Sequence, residues 1–251
     1  MRKSVLKNCM QALAVVVFML AVWGLAYMIA GNELLVPAFS DCVKEVGRLV
    51  ASASFWKSVG GTVIRTFGAF FASFILAVGL ALTAYLIPAV RGFFGCVVSA
   101  MRSLPTLAVL LILLLWWGAG FAPVAVAFLS LFPMLYTCVF TAFLGVDGEL
   151  IEMSKAYGVP VKRQVAQLYL PAVAPCVIRE GSGAAAFALK LVISAEVLAD
   201  TVKSLGGMMQ EAKAYLDVPL LFALVIVSLI LGLLIEGLGI WLAKTVERRV
   251  K

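Results

Sequence analysis

Apolar positions along this chain come in long unbroken runs, not at the two-residue or 3.6-residue intervals of half-buried strands and helices. The first run extends from Cys9 to Gly31, and a second from Thr62 to Ile87 is uncharged after Arg65. From Ser103 to Val146 there are 44 residues without one charge. As a single helix that run would measure about 66 Å, twice the roughly 30 Å hydrocarbon core of a bilayer. It must turn, and Gly118-Ala119-Gly120-Phe121-Ala122-Pro123 supplies the break. The pattern therefore predicts a helical hairpin over about 104–117 and 123–144, with further spans at 176–199 and 218–243. Six membrane-crossing helices are expected in all.

The polar interruptions differ in kind. Residues 32–60 carry Glu33, Asp41, Lys44, Glu45, Arg48 and Lys57 and are read as an amphipathic segment outside the bilayer. Pro88 and Arg91 mark a short link, with Arg102 just ahead of the third span. Loop 200–217 is polar, and loop 145–175 is the one long charged loop in the second half.

Composition sharpens this picture. The 251 residues are 64% hydrophobic and 13% charged, with a mean hydropathy of +1.10. A soluble domain is about 45–50% apolar and about 25% charged, so a soluble enzyme, a disordered chain and a nucleic-acid-binding module are excluded. The basic N-terminus and first run look like a secretory signal only superficially, because such a signal's apolar core is about 7–15 residues. A retained first span is expected. Histidine is absent, which removes His-based acid/base chemistry and most zinc sites. The five cysteines are scattered without metal spacing and are read as small apolar residues. With the N-terminus inside, 13 of the 20 basic residues sort to the inner side and 6 to the outer, Lys190 lying within a span. The net charge of +7 is then chiefly a topology signal, with both termini in the cytoplasm.

Loop 145–175 reads as structured. Glu149 to Tyr157 has helix-forming composition, with Asp147 and Glu149 favourable at its start. Gly158-Val159-Pro160 breaks it, and a second amphipathic segment, Val161 to Leu170, is expected to end at Pro171. The residues Glu152-Met153-Ser154, three residues, Gly158, nine residues, Leu168, one residue, Leu170-Pro171 match a known spacing. This resembles the cytoplasmic motif in permease subunits of bacterial binding-protein-dependent ABC importers, which reads Glu-Ala-Ala, Gly, aliphatic, Leu-Pro. Met153-Ser154 departs from the two alanines, so the partner's groove would have to accept a bulkier side chain.

Softer likenesses point to the nitrate/sulfonate/taurine group of that family. They are Thr62-Val63-Ile64-Arg65, Arg102-Ser103-Leu104-Pro105 leading to Leu114-Leu115-Trp116-Trp117-Gly118, and Ser194-Ala195-Glu196-Val197-Leu198 followed by Leu205-Gly206. The resemblance implies an all-α type I importer permease fold, with an N-terminal unit over 1–53 and a core domain over 54–251. It also implies that loop 145–175 docks on a cytoplasmic ATPase subunit, present in two copies. A second permease chain, an identical copy, would complete the pathway, and an extracytoplasmic binding protein would deliver the solute. The solute would be small: an anion such as nitrate, a sulfonate or taurine, or a pyrimidine precursor of thiamine. No Gly-x-x-x-x-Gly-Lys-[Ser/Thr] loop occurs here, so this chain is expected to hold no cofactor and to catalyse nothing, ATP and Mg2+ being bound by the ATPase.

A charge deep in a span costs about 2.5–3.5 kcal/mol on insertion scales and marks a partner or a water-filled path. Lys190 is such a charge, and it either lines the pathway or pairs with an acid such as Glu236. Glu196 is six residues further on, about 240° around the helix, so the two cannot pair within it. Glu196 reads as a gate, a contact with the binding protein or a solvated helix end; Arg65 and Arg102 complete the pathway candidates. An ion-coupled carrier using Lys190, Glu196 and Glu236 as relay groups is the alternative, and it leaves the loop spacing unexplained.

Overall fold

The computed structural model describes the backbone of residues 2–250, and all side chains except those of 1–9, 11–13, 16, 172, 175–177, 179, 244 and 246–251. Cys9, Cys176, Arg179 and the basic residues of both ends, which entered the charge sorting, lie outside the described side chains. Helices run in the order α1 (Arg2–Ala30), α2 (Phe39–Ala51), α3 (Ala53–Leu86), α4 (Pro88–Ser103), α5 (Thr106–Leu144), α6 (Gly148–Ala156), α7 (Val161–Gln164), a π turn (Val165–Tyr169), α8 (Leu170–Ala199), α9 (Leu205–Ala214) and α10 (Val218–Val250). Among the described residues, stretches within α3, α5, α8 and α10 are long and apolar enough to cross a bilayer, and Val17–Ala30 is a shorter apolar helix. α2 is the expected amphipathic segment, with Cys42 and Leu49 buried and the pairs Lys44–Asp41 and Arg48–Glu45 on its solvent side. Residues 53–60, expected in that polar segment, instead belong to α3, whose Phe55 and Val59 are buried and anchor its first turns.

α3 buries Thr62, Thr66, Ala69, Ser73, Ala77, Ala81 and Ala84, a small-residue stripe at three- and four-residue steps. Small side chains let backbones approach where lipid supplies no hydrophobic drive between helices. The stripe seats α5, and Ser73 Oγ donates to Ala69 O at 2.8 Å and reaches Phe128 O at 3.4 Å.

The uncharged run does turn. Gly118 has φ +69° and ψ 177°, a non-helical break inside Thr106–Leu144. Leu110 and Leu113 pack on Ala122, Ala125 and Val126. On a straight helix Leu110 and Val126 would lie about 24 Å apart, so the two arms fold back on each other. The rising limb of this hairpin is longer than expected. Residues 88–103, read as a link, form α4, with Pro88 in the first turn, where its missing N–H is harmless. Arg91 stacks over the Phe140 ring at 4.9 Å, and Arg102 donates to Thr137 Oγ1 at 2.7 Å and Pro133 O at 3.3 Å. α4 thus climbs antiparallel to the descending arm before Leu104-Pro105 bends the limb. Pro133 lies about 22 Å along its helix from the Gly118 bend. Arg102 is therefore halfway along the hairpin, a correction to its expected place at the inner face.

A second correction concerns Pro171. The chain does not break there: the π turn feeds directly into α8, and Pro171 falls in the first turn of α8, where no N–H is required of it.

At the end of the bundle away from loop 145–175, one buried carboxylate joins several elements. Glu196 is fully buried; its Oε2 accepts from Thr62 Oγ1 at 2.8 Å and from Gly206 N at 3.3 Å, and its Oε1 accepts from Arg65 at 3.0 Å. Arg65 also reaches Val202 O and Lys203 O, while Thr62 Oγ1 accepts from Leu205 N at 2.9 Å. Thr201 Oγ1 donates to Ala119 O at 2.8 Å, tying the hairpin tip to the same loop. Gly206 is required at this point, because a Cβ there would meet Glu196 Cβ at 2.4 Å and Ile193 O at 2.7 Å. Glu196→Ala should leave the Arg65 charge uncompensated and destabilise the chain by about 3–5 kcal/mol. Thermal unfolding in detergent should show this loss, and Arg65→Ala/Glu196→Ala should lose less than the two single variants summed.

Candidate functional site

Two groups of predicted site residues can be built from the chain upward: the charged loop at one end of the bundle and the charges along its spans. In the loop, Asp147 caps α6, its carboxylate accepting from Glu149 N at 2.9 Å. Gly158 closes α6 in the left-handed region, with φ +62°. Gly158 N donates to Lys155 O and Val159 N to Ser154 O, both at 3.0 Å, the paired bonds of a Schellman motif. A β-branched residue in that conformation is strained by about 1–2 kcal/mol.

α6 touches the bundle through Ile151, which is half-buried against the main core, and buries none of its residues fully. Glu152 is exposed, and Leu150, Met153 and Tyr157 form an exposed ridge at helical spacing, 44%, 53% and 81% accessible. Ser154 is half-buried and donates to Ile151 O at 2.8 Å. Of the two departures from the alanine pair, Met153 is thus the one that a docking partner would meet.

Beyond the turn, Leu168 is half-buried while Leu170 and Pro171 are exposed. Two residues missed by the sequence reading hold this part together. Gln164 is buried, and its Nε2 donates to Val159 O at 2.7 Å, bracing the Gly158 turn. Tyr169, a free position in the motif, is buried edge-on to Tyr85 of α3 at 5.3 Å and to Phe143 of α5 at 6.4 Å. Burial pushes its phenol up from the ordinary value, and Tyr85 adds to the effect. An aromatic between two leucines ahead of a proline was the available signal. What it packs against was not encoded locally.

Along the spans, the structure separates the four charged candidates. Glu196 and Arg65 are joined in the buried network at the far end of the bundle. Arg102 borders a cavity of about 220 Å3 with Ser130, Pro133, Phe187 and Leu191. Lys190 borders another of about 340 Å3, between α8 and α10, together with Ser194, Ser228 and Glu236. α8 is packed on most sides, yet Gly183, Phe187, Lys190 and Ser194 form an exposed stripe down one face. Lys190 and Glu236 share a cavity without an ion pair between them, and no hydrogen bond reaches Lys190 among the described residues.

Comparison with known proteins bears on the family and the fold. Residues 69–251 match the family described as binding-protein-dependent transport system inner membrane component. The taurine transport system permease protein TauC of Escherichia coli is 24% identical over 202 residues, 79% of this chain and 70% of TauC. A probable ABC transporter permease of Brucella melitensis is 24% identical over 225 residues, 88% of this chain and 90% of that one. Among solved structures, an inward-facing MetNI methionine ABC transporter chain superposes with a TM-score of 0.68 at 17% identity, covering 77% of this chain and 96% of that one. An amino acid ABC transporter gives 0.59 at 17% identity, with 77% and 94% covered. At these identities the superpositions show the fold alone. The match over most of its length places this chain in the family of inner membrane components of binding-protein-dependent ABC transport systems.

Proposed function

We infer that the ridge on α6 docks on a cytoplasmic ATPase subunit, and that this permease passes the ATPase's closure to its own spans. The observation that carries this reading is the exposure of Leu150, Met153 and Tyr157 on a helix that touches the bundle through the half-buried Ile151. An apolar ridge in water beside an acceptor, Glu152, suits a groove with a basic or amide rim. Displacement of α6 would travel through the Gly158 turn and its Gln164 brace to Tyr169, and from there to α3 and α5. Two ATPase copies, a second copy of this chain and an extracytoplasmic binding protein complete the proposed importer, with both termini in the cytoplasm.

The solute proposed is a small one carrying an anionic group, such as a sulfonate or taurine. The taurine permease among the relatives supports this class, as do Arg102 at the end of α4, beside the hairpin's descending arm, and Lys190 midway along its span, two cations beside open cavities. Both lie where a charge without a partner or water is costly.

Purification from the native membrane in mild detergent, with an ATPase assay, tests the docking. A stoichiometric ATPase subunit is expected with the wild type. Met153→Asp should lose that subunit while its own unfolding stays within about 0.5 kcal/mol, because the site is exposed. Gly158→Val should keep membrane insertion but uncouple ATP hydrolysis from uptake in proteoliposomes. Normal uptake by that variant would count against the coupling role.

A further inference from the structure

We propose that the cavity between α8 and α10 is a binding site for a short zwitterion, its anionic group on Lys190 and its cationic group on Glu236. This rests on the importer reading above and narrows the solute from an anion to a molecule that carries both charges.

The relative depth of the two side chains follows from the packing of the helices. A Cβ on Gly232 would lie 3.9 Å from Leu189 Cδ2, and one on Gly239 would meet Ser182. The two helices are therefore antiparallel, and Lys190 lies level with residue 231. Glu236 is five residues further along α10, about 7.5 Å along the axis. Side chains as long as lysine and glutamate can bridge that offset, yet the two form no ion pair among the described residues, which leaves each charge open to one end of a short solute. The cavity of about 340 Å3 is lined by the apolar segments Glu180–Ala199 and Val218–Ala243 together with Met209 of α9, and both charges border it without pairing. Two opposite charges in one membrane cavity need water or a ligand of matching polarity.

The hydroxyls of Ser194 and Ser228 line the same cavity. Ser228 Oγ donates to Leu224 O at 2.8 Å, so its remaining capacity is as an acceptor. The other lining residues, including Leu189, Ile193, Val225 and Leu229, are apolar. A simple inorganic anion would satisfy Lys190 and leave Glu236 repelling it. A zwitterion satisfies both and crosses with no net charge.

The test uses proteoliposomes holding the full importer with its own ATPase and binding protein. Probes are taurine and β-alanine as short zwitterions, and ethanesulfonate and isethionate as anions without the amine. ATP-driven uptake of a zwitterion, not competed by ethanesulfonate, is expected. Glu236→Gln and Lys190→Met should each reduce it about tenfold, equivalent to about 1.4 kcal/mol, and the double variant should fall further. Membrane level and ATPase stoichiometry check assembly of each variant.

Uptake of ethanesulfonate as fast as taurine, stimulation by neither zwitterion, or unchanged uptake by Glu236→Gln would overturn the zwitterion site. Wild-type uptake by Lys190→Met/Glu236→Gln would also overturn it, since that is the behaviour of a dispensable ion pair. Uptake that does not require ATP would instead overturn the importer reading itself.

Discussion

The carboxylate of Glu196 is buried against the end of a membrane bundle, and the far end of the fold is arranged around satisfying it. Thr62, Arg65 and the Gly206 amide converge on its two oxygens. A buried acid left with any of these missing is strongly unfavourable, so the partners must arrive together. They come from α3 and α9, while Glu196 itself sits on α8. The network therefore fixes three elements at once, and Thr201 adds the tip of the α5 hairpin. Asp200 and Lys203 hold left-handed backbone without being glycine, a strain that persists because the loop between them is over-determined by these bonds.

The opposite end is built differently. There the junction is aromatic: Tyr169 wedges between Tyr85 and Phe143, with no charge involved. The π turn that delivers Tyr169 widens the helix for one turn, a feature frequent at functional positions. A polar clamp at one end and an aromatic wedge at the other leave the middle of the bundle to small residues. Close approach along the α3 stripe lets α5 pack as a hairpin, and that packing in turn holds Arg102 at half depth.

Much of this was legible in the residues. The absence of charge over 103–146 forced a turn, and Gly118 makes it because only glycine takes that backbone without strain. Gly158 ends α6 for the same reason, and Asp147 caps it as its chemistry predicts. The link over 88–103 was misread because Arg91 and Arg102 look like loop charges in one dimension. Their partners, the Phe140 ring and the Thr137 hydroxyl, are supplied by a helix 30 or more residues away. Pro171 was misread for a related reason. Proline forbids a helix interior but fits a first turn, and the π turn that makes it a first turn depends on the seating of Tyr169.

The sequence by itself determined the class, the turn of the long uncharged run and the helix that Gly158 ends in loop 145–175, because each follows from local rules: the length a bilayer demands, the break a glycine allows, the spacing a helix imposes. Pairing was left to the tertiary structure. Glu196, which reads in sequence as a gate, a contact with the binding protein or a solvated helix end, is a buried anchor; Lys190 and Glu236, 46 residues apart, meet one cavity without meeting each other. Which charges neutralise one another depends on distances across helices, and no pattern along a single chain specifies those.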